Sequence, residues 1–194
     1  IEIDNADDRV FLLEGYIFPD TYEFYFDSDA QLVVDKFIEN YNSKITDEMK
    51  QKAKALGYTM DQMMTLASVI QKECDADIDE CANVSSVFHN RLKDPASFPK
   101  LESDVTTFYI SQNLKDVLGY QDGVALENQN DEVKKYMELY STYFCSGLPA
   151  GPICNPGLKA INAALRPNNT DYVFFLTDES GEHFYYASTI AEHN

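Results

Sequence analysis

Tryptophan is absent from this 194-residue chain, and glycine and proline are sparse, at 8 and 7 residues. Cations are also few: 15 Lys and Arg stand against 33 Asp and Glu, a formal net charge of −18. A phosphate backbone rewards clustered Lys and Arg, and an anionic bilayer surface does the same. The balance therefore argues against nucleic acid and against direct membrane-surface binding. A neutral polymer such as a glycan stays compatible, because its recognition does not depend on charge. No apolar run has the length of a membrane span, and no signal-peptide pattern is visible. The abrupt start at "IEIDNADD" and stop at "AEHN" read as the ends of an excised fragment.

Other absences narrow the chemistry. The cysteines at 74, 81, 145 and 154 form no CxxC pair, and His89, His183 and His193 have no HExxH-like spacing, so no metal site is expected. GxSxG, Walker and GxGxxG motifs are missing, which removes sequence support for serine hydrolysis and nucleotide chemistry. On one continuous helix Cys74 and Cys81 would lie about 10 Å apart, too far for a disulfide. Cys145 and Cys154 flank a Gly/Pro-rich loop and could be bridged.

What the chain does have is a composition that folds: 44% hydrophobic and 13% aromatic, with 13 Tyr and 12 Phe. Its length suits one domain, residues 1–194, with a sizeable core. The expected class is α+β, mainly helical with small antiparallel β elements. "VFLLEGYIFPDTYEFYF" (10–26) reads as strand, turn and second extended piece. Residues 30–56 carry two helical patterns ending near Gly57. "TMDQ" sets Thr59 as an N-cap with Gln62 three residues on. A helix with Val84, Val87, Phe88 and Leu92 on one side follows. "SGLPAGPICNPG" (146–157) is a loop holding three of the glycines and three of the prolines. "LKAINAALRP" is a helix stopped by Pro167, and "DYVFFLTDESGEHFYYAST" is a C-terminal β-hairpin turning at Asp178 to Gly181.

The helix "QMMTLASVIQKEC" (62–74) raises the functional question. Met63, Leu66 and Ile70 form an apolar stripe, and Glu73 continues it, seven residues after Leu66; Gln71 and Lys72 point elsewhere. A carboxyl group held on an apolar stripe is desolvated, which disfavours its charged form and suits it to act as a general acid. Asn90 and Arg91 fall on the polar side of the next helix, where Arg91 could balance an acid or bind a sugar. The alternating Asp75, Asp77 and Asp79 lack the glycine and final glutamate of a calcium loop, and read as a solvated turn.

Together the motifs resemble the endolytic murein transglycosylases of the YceG-like family. "LEGYIFPDTYEF" is similar to that family's opening motif, and "LASVIQKE" to its catalytic helix, usually ending Glu-Lys-Glu. "VFHNRL" resembles V-F-x-N-R-L, and "LESDVTTFY" resembles L-Q-S-D-P-T. "YSTYFCSGLPAGPICNPGLKAINAAL" matches the Tyr-rich segment, loop and helix, and the closing hairpin with E-H-N is also present.

The resemblance implies cleavage of the MurNAc-β-1,4-GlcNAc bond inside peptidoglycan strands without water, leaving 1,6-anhydromuramoyl ends and needing no cofactor. It implies Glu73 as acid and then base. It suggests Asn90, Arg91, Asp104 and Thr106 as orienting or sugar-holding groups. Tyr140, Tyr143 and the backbone around Gly147, Leu148, Pro149 and Gly151 would form the cleft wall, with His183, Glu192 and His193 nearby. Family members carry a membrane anchor and a small LysM-like domain ahead of these motifs, so residues 1–12 read as a remnant of the latter. The parent would sit on the extracytoplasmic face of the membrane, beside the cell-wall synthesis machinery.

Gln71, Val105, Ala150 and Ser141 depart from the family's pattern. Two rival readings are a non-catalytic glycan-binding module and a pyridoxal-phosphate-dependent aminodeoxychorismate lyase, a label also attached to the family. The second would need Lys72.

Overall fold

The computed structural model describes residues 1–178 and 183–193. Among them, the helices in chain order are α1 (Ala30–Lys44), α2 (Asp47–Ala55), α3 (Met60–Glu73), α4 (Ile78–Lys93), α5 (Asp104–Phe108), α6 (Lys115–Leu118), α7 (Asp131–Tyr140), α8 (Leu158–Leu165) and α9 (Ile190–His193). Strands β1 (Phe174–Thr177) and β2 (Phe184–Ala187) pair antiparallel, with Phe174 opposite Ala187 and Thr177 opposite Phe184. The class is therefore α+β and mainly helical, with the expected C-terminal hairpin. The turn expected at Asp178 to Gly181 falls largely outside the described residues.

Helix α3 is the axis of the domain. Its start is fixed locally: Thr59 Oγ1 accepts from Gln62 N–H, and Gln62 Oε1 accepts from Thr59 N–H, a reciprocal capping box. The stripe of Met63, Leu66 and Ile70 is fully buried, but so are Met64, Ala67 and Val69. A helix covered all round is a core helix rather than a surface one. Its polar positions are satisfied within: Ser68 Oγ donates to Thr65 O at 2.7 Å and accepts from Ile153 N–H at 2.9 Å. Helix α8, built from Ala160, Ile161, Ala163, Ala164 and Leu165, packs on both α3 and α4. Burying each large apolar side chain contributes about 1.5–3 kcal/mol.

The expectation of strands over 10–26 is not met. These residues form turns and unpaired extended chain, and the sheet among the described residues pairs only β1 with β2. Their backbone groups go to local turns, as Glu14 N–H to Phe11 O and Tyr16 N–H to Leu13 O, and to side chains. Asn155 Oδ1 accepts from Gly15 N–H and Ile17 N–H at 2.8 and 3.0 Å. The aromatic rings pack on α1: Tyr22 and Phe24 lie 4.8 and 5.7 Å from the Phe37 ring. Residues 1–12 are fastened to α3, since Arg9 and Asp61 form a buried ion pair that Tyr16 OH joins by donating to Asp61. Gly15 has φ +91°, and a Cβ there would meet Pro152 Cγ at 2.5 Å, so the opening segment and the 146–157 loop are wedged together.

The cysteine reading is overturned at both pairs. Cys74 and Cys81 form a disulfide, with Cα atoms 5.5 Å apart, while Cys145 and Cys154 are free thiols. Helical spacing across 74–81 does not apply, because α3 stops at Glu73 and α4 starts at Ile78. Asp77 ends the intervening turn by capping α4, its carboxylate accepting from Glu80 N–H at 2.9 Å. That turn is solvated at Asp75, Asp77 and Asp79.

Candidate active site

Glu73 is the last residue of α3 and half-buried. Its carboxyl group opens on a cleft of about 490 Å³, within the range of small-ligand sites. Val87, Phe88 and Arg91 of α4 line one side, and Leu101, Glu102, Ser103 and Asp104 another. Tyr143, Phe174 and Phe175 of β1, and Ile190 and His193 of α9 complete it. Aromatic and aliphatic walls with a few converging polar groups suit a sugar, which presents apolar faces and hydroxyl edges.

The protonation state of Glu73 follows from its surroundings. Burial raises its pKa, the hydrogen bond from Ser103 Oγ (2.5 Å to Oε1) lowers it, and the neighbouring Asp104 carboxylate raises it. The net direction is upward, toward an acid that keeps its proton at higher pH than an exposed glutamate. Tyr143 OH donates to Asp104 Oδ1 at 2.8 Å. Burial, that bond and the nearby carboxylates of Asp104, Glu102 and Glu73 push the phenol up to about 12.

Ser103 is held by a hydroxyl cluster at the start of α5. Its N–H donates to Thr142 Oγ1 at 2.9 Å, and its carbonyl accepts from Thr106 Oγ1 at 2.6 Å. Thr106 is fully buried and accepts from Thr142 N–H at 3.0 Å, so it holds the backbone that carries Ser103 and does not face the cleft. Glu102, immediately before, has φ 55°, a region that costs a non-glycine residue energy and recurs at functional sites.

Arg91 is buried rather than on the polar face expected of it. Its Nε donates to Val173 O at 2.7 Å, and Nη1 donates to Leu101 O at 2.9 Å and to Glu102 Oε2 at 3.3 Å. The guanidinium sits over the rings of Phe98 and Phe174, 5.5 and 5.2 Å from their centroids. It thus joins α4, the 101–102 segment and the hairpin. Asn90 also serves the backbone, donating to Thr170 O at 3.0 Å and Tyr172 O at 2.9 Å.

Of the residues singled out from sequence, Glu73, Arg91, Asp104, Tyr143 and His193 meet at the cleft. His193 stacks on Phe174 with centroids 5.0 Å apart. The others lie elsewhere. Tyr140 is buried against Tyr109 and Tyr136. His183 is exposed just before β2, and Glu192 accepts from Ser188 N–H at 3.0 Å. Gly147, Leu148, Pro149 and Gly151, expected as a cleft wall, are not among the residues lining this cleft; Gly147 lines a separate hollow with Leu92, Phe98 and Pro99. Gly147 N–H donates to Pro99 O, Pro149 is buried, and a Cβ on Gly151 would meet Arg9 Nε at 2.7 Å. Gln71, one of the departures, accepts from Gly157 N–H at 3.1 Å and so fixes the far end of that loop to α3.

Sequence reasoning missed Ser103, Glu102 and the hairpin phenylalanines. Ser103 stood inside the quoted "LESDVTTFY" stretch beside Asp104, and that adjacency was the available signal. For Phe174 and Phe175, successive strand residues point to opposite faces, yet both line the cleft, which pattern alone does not reveal.

The YceG-like family model matches residues 2–194. An endolytic murein transglycosylase of Bacillus subtilis (strain 168) is 36% identical over 184 residues, covering 94% of this chain and 46% of that protein. One from Streptococcus pneumoniae (strain D39) is 26% identical over 182 residues, 94% of this chain and 31% of that protein. The crystal structure of a YceG-like protein from Listeria monocytogenes superposes with a TM-score of 0.72 at 28% identity, covering 96% of this chain and 55% of that one. The chain spans less than half the length of the curated relatives it matches. It belongs to the YceG-like family.

Proposed function

We propose that this domain is the catalytic part of an endolytic murein transglycosylase, with Glu73 as its single acid and base. The observation that carries the reading is the position of Glu73: a half-buried carboxyl group with raised pKa, opening on an aromatic-walled cleft and touched by one hydroxyl.

Ordinary glycosidases need two carboxylates, one to protonate the leaving oxygen and one to attack or activate water. A lytic transglycosylase needs only one, because the muramoyl 6-hydroxyl replaces water. Protonated Glu73 gives its proton to the glycosidic oxygen as the bond from muramoyl C1 to that oxygen breaks. The same carboxylate then takes the proton of the 6-hydroxyl as that oxygen bonds to C1. The result is a 1,6-anhydromuramoyl end and a free GlcNAc 4-hydroxyl, with Glu73 reprotonated for the next turn. Holding the 6-hydroxyl within the substrate itself makes the second step effectively unimolecular. Ser103 steadies the carboxylate between the two proton transfers, and Arg91 braces the cleft wall.

Peptidoglycan strands are then the partner, and the compartment is extracytoplasmic. The buried Cys74–Cys81 disulfide supports that location, since such bonds persist where the surroundings are oxidising. Among the described residues, no helix is long and apolar enough to cross a membrane. The cofactor-dependent lyase reading draws no support from Lys72, which is exposed and is not among the residues lining the cleft.

Incubation with purified peptidoglycan and mass spectrometry of the products tests the proposal. Anhydro-muropeptides are expected from the wild type and none from Glu73→Gln. Reducing-end muropeptides in their place would make the enzyme a hydrolase, and strand binding without product would make the domain a binding module.

A further inference from the structure

The acid sits in a closed ring of fixed connections, and the disulfide is the link that closes it. From the Glu73 carboxylate the ring runs through the Ser103 Oγ hydrogen bond, then back along the chain to Glu102 and Leu101. Both of those are held by the Arg91 guanidinium, through Leu101 O and the Glu102 carboxylate. Arg91 stands on α4, whose first turn carries Cys81. Cys81 is bonded to Cys74, the residue next to Glu73, whose own N–H is still tied to Ile70 O. Without the bridge, the ring is closed at that end through α8, which packs on both helices, and through the turn 75–77, exposed at Asp75 and Asp77. Its further anchor is Lys159 of α8, which donates to Ala76 O at 2.7 Å. Both cysteines are buried, so the bond belongs to the packing beneath the cleft and not to the surface.

We infer that the Cys74–Cys81 bridge is a positioning element for the reaction: it sets the distance between Glu73 and Ser103 by fixing the end of α3 against the start of α4. This rests on the proposed role of Glu73. The bridge touches no substrate and acts only through the acid beside it. Misplacement of a reacting group by about 1 Å costs on the order of a hundredfold in rate, so a slackened α3–α4 junction lowers kcat while leaving the sugar-binding walls and KM nearly as they are.

The test is a double-mutant cycle read by anhydro-muropeptide production, using Cys74→Ala/Cys81→Ala, Ser103→Ala and their combination. The bridge variant is expected to lose roughly tenfold or more in kcat, with KM changed less than twofold or so. In the bridge-free background, Ser103→Ala is expected to cost far less than in the wild type, because residues acting through one geometry are not additive. Full kcat in the bridge-free protein with only a lower Tm, or strictly additive losses, overturns the inference. Should the alanine pair fail to fold, Cys74→Ala/Cys81→Val refills the buried volume and carries the same comparison. A carbon-13 NMR titration of the Glu73 carboxyl, which needs no turnover, separates the two proposals. An inactive wild type sinks the enzymatic reading. An unchanged Glu73 titration on removing the bridge sinks the ring.

Discussion

Ser103 Oγ donates to Glu73 Oε1 at 2.5 Å, and among the causes acting on that carboxyl it is the one that favours the charged form. Burial and Asp104 push the other way and win. The proton affinity of the acid is therefore a balance between named neighbours, each of which can be removed.

Ser103→Ala takes away the influence that lowers the Glu73 pKa. The pKa rises further, and the protonated form, which starts the proposed reaction, persists to higher pH. The alkaline limb of the kcat/KM profile is expected to move up, while kcat at the optimum falls by about tenfold, or ~1.4 kcal/mol. A limb moving down would show that the serine does not donate to the carboxylate.

Asp104→Asn acts with the opposite sign. It removes a negative neighbour that raises the Glu73 pKa, yet keeps an oxygen to accept from Tyr143 OH. The alkaline limb is expected to move down. The same pH series measures both variants, and the two shifts must differ in sign.

Glu73→Gln is expected to abolish product and to stabilise the fold. A carboxyl whose pKa is raised in the folded state lends its stability below the unfolded value of 4.5 and loses it as pH rises through the folded value. Above that window the wild type holds a poorly solvated charge that glutamine does not. The Tm difference should be near zero at the acid end and grow with pH to a few degrees, the size of roughly 1 kcal/mol in a domain of this length. Thermal melts across the pH range read it directly.

Asp61→Ala removes one side of the buried pair with Arg9, whose Nε and Nη1 already lack partners. Leaving a guanidinium buried and uncompensated costs about 3–5 kcal/mol, read as a lower urea midpoint with unchanged slope. A loss below ~1 kcal/mol would mean that residues 1–12 are not fastened through this pair.

How much of this was legible depended on whether the determining interaction was local. The start of α3 was, because Thr59 and Gln62 satisfy each other across one turn. The C-terminal hairpin and the Gly/Pro-rich loop announce themselves by alternation and by backbone-freeing residues. The 10–26 segment misled: its aromatics favour strands, but a strand needs an edge, and only the tertiary fold shows that Asn155 and α1 take its polar groups and rings instead. The disulfide was hidden by assuming one helix through 74–81, although Asp77 carried a capping signal three residues before Glu80. Arg91 looked like a surface charge because its acceptors, Val173 O and Leu101 O, are backbone atoms of other segments. Glu73 was visible because seven residues make two helical turns, whatever packs outside.

Glu73 closes its helix, and helices are electrically lopsided. The peptide groups of α3 add head to tail into a macrodipole whose carbonyl end carries about half a negative charge within its last turn. The backbone itself thus opposes ionisation at this position, in the same direction as burial. Position along the helix, as much as depth in the cleft, holds this carboxyl toward its protonated form.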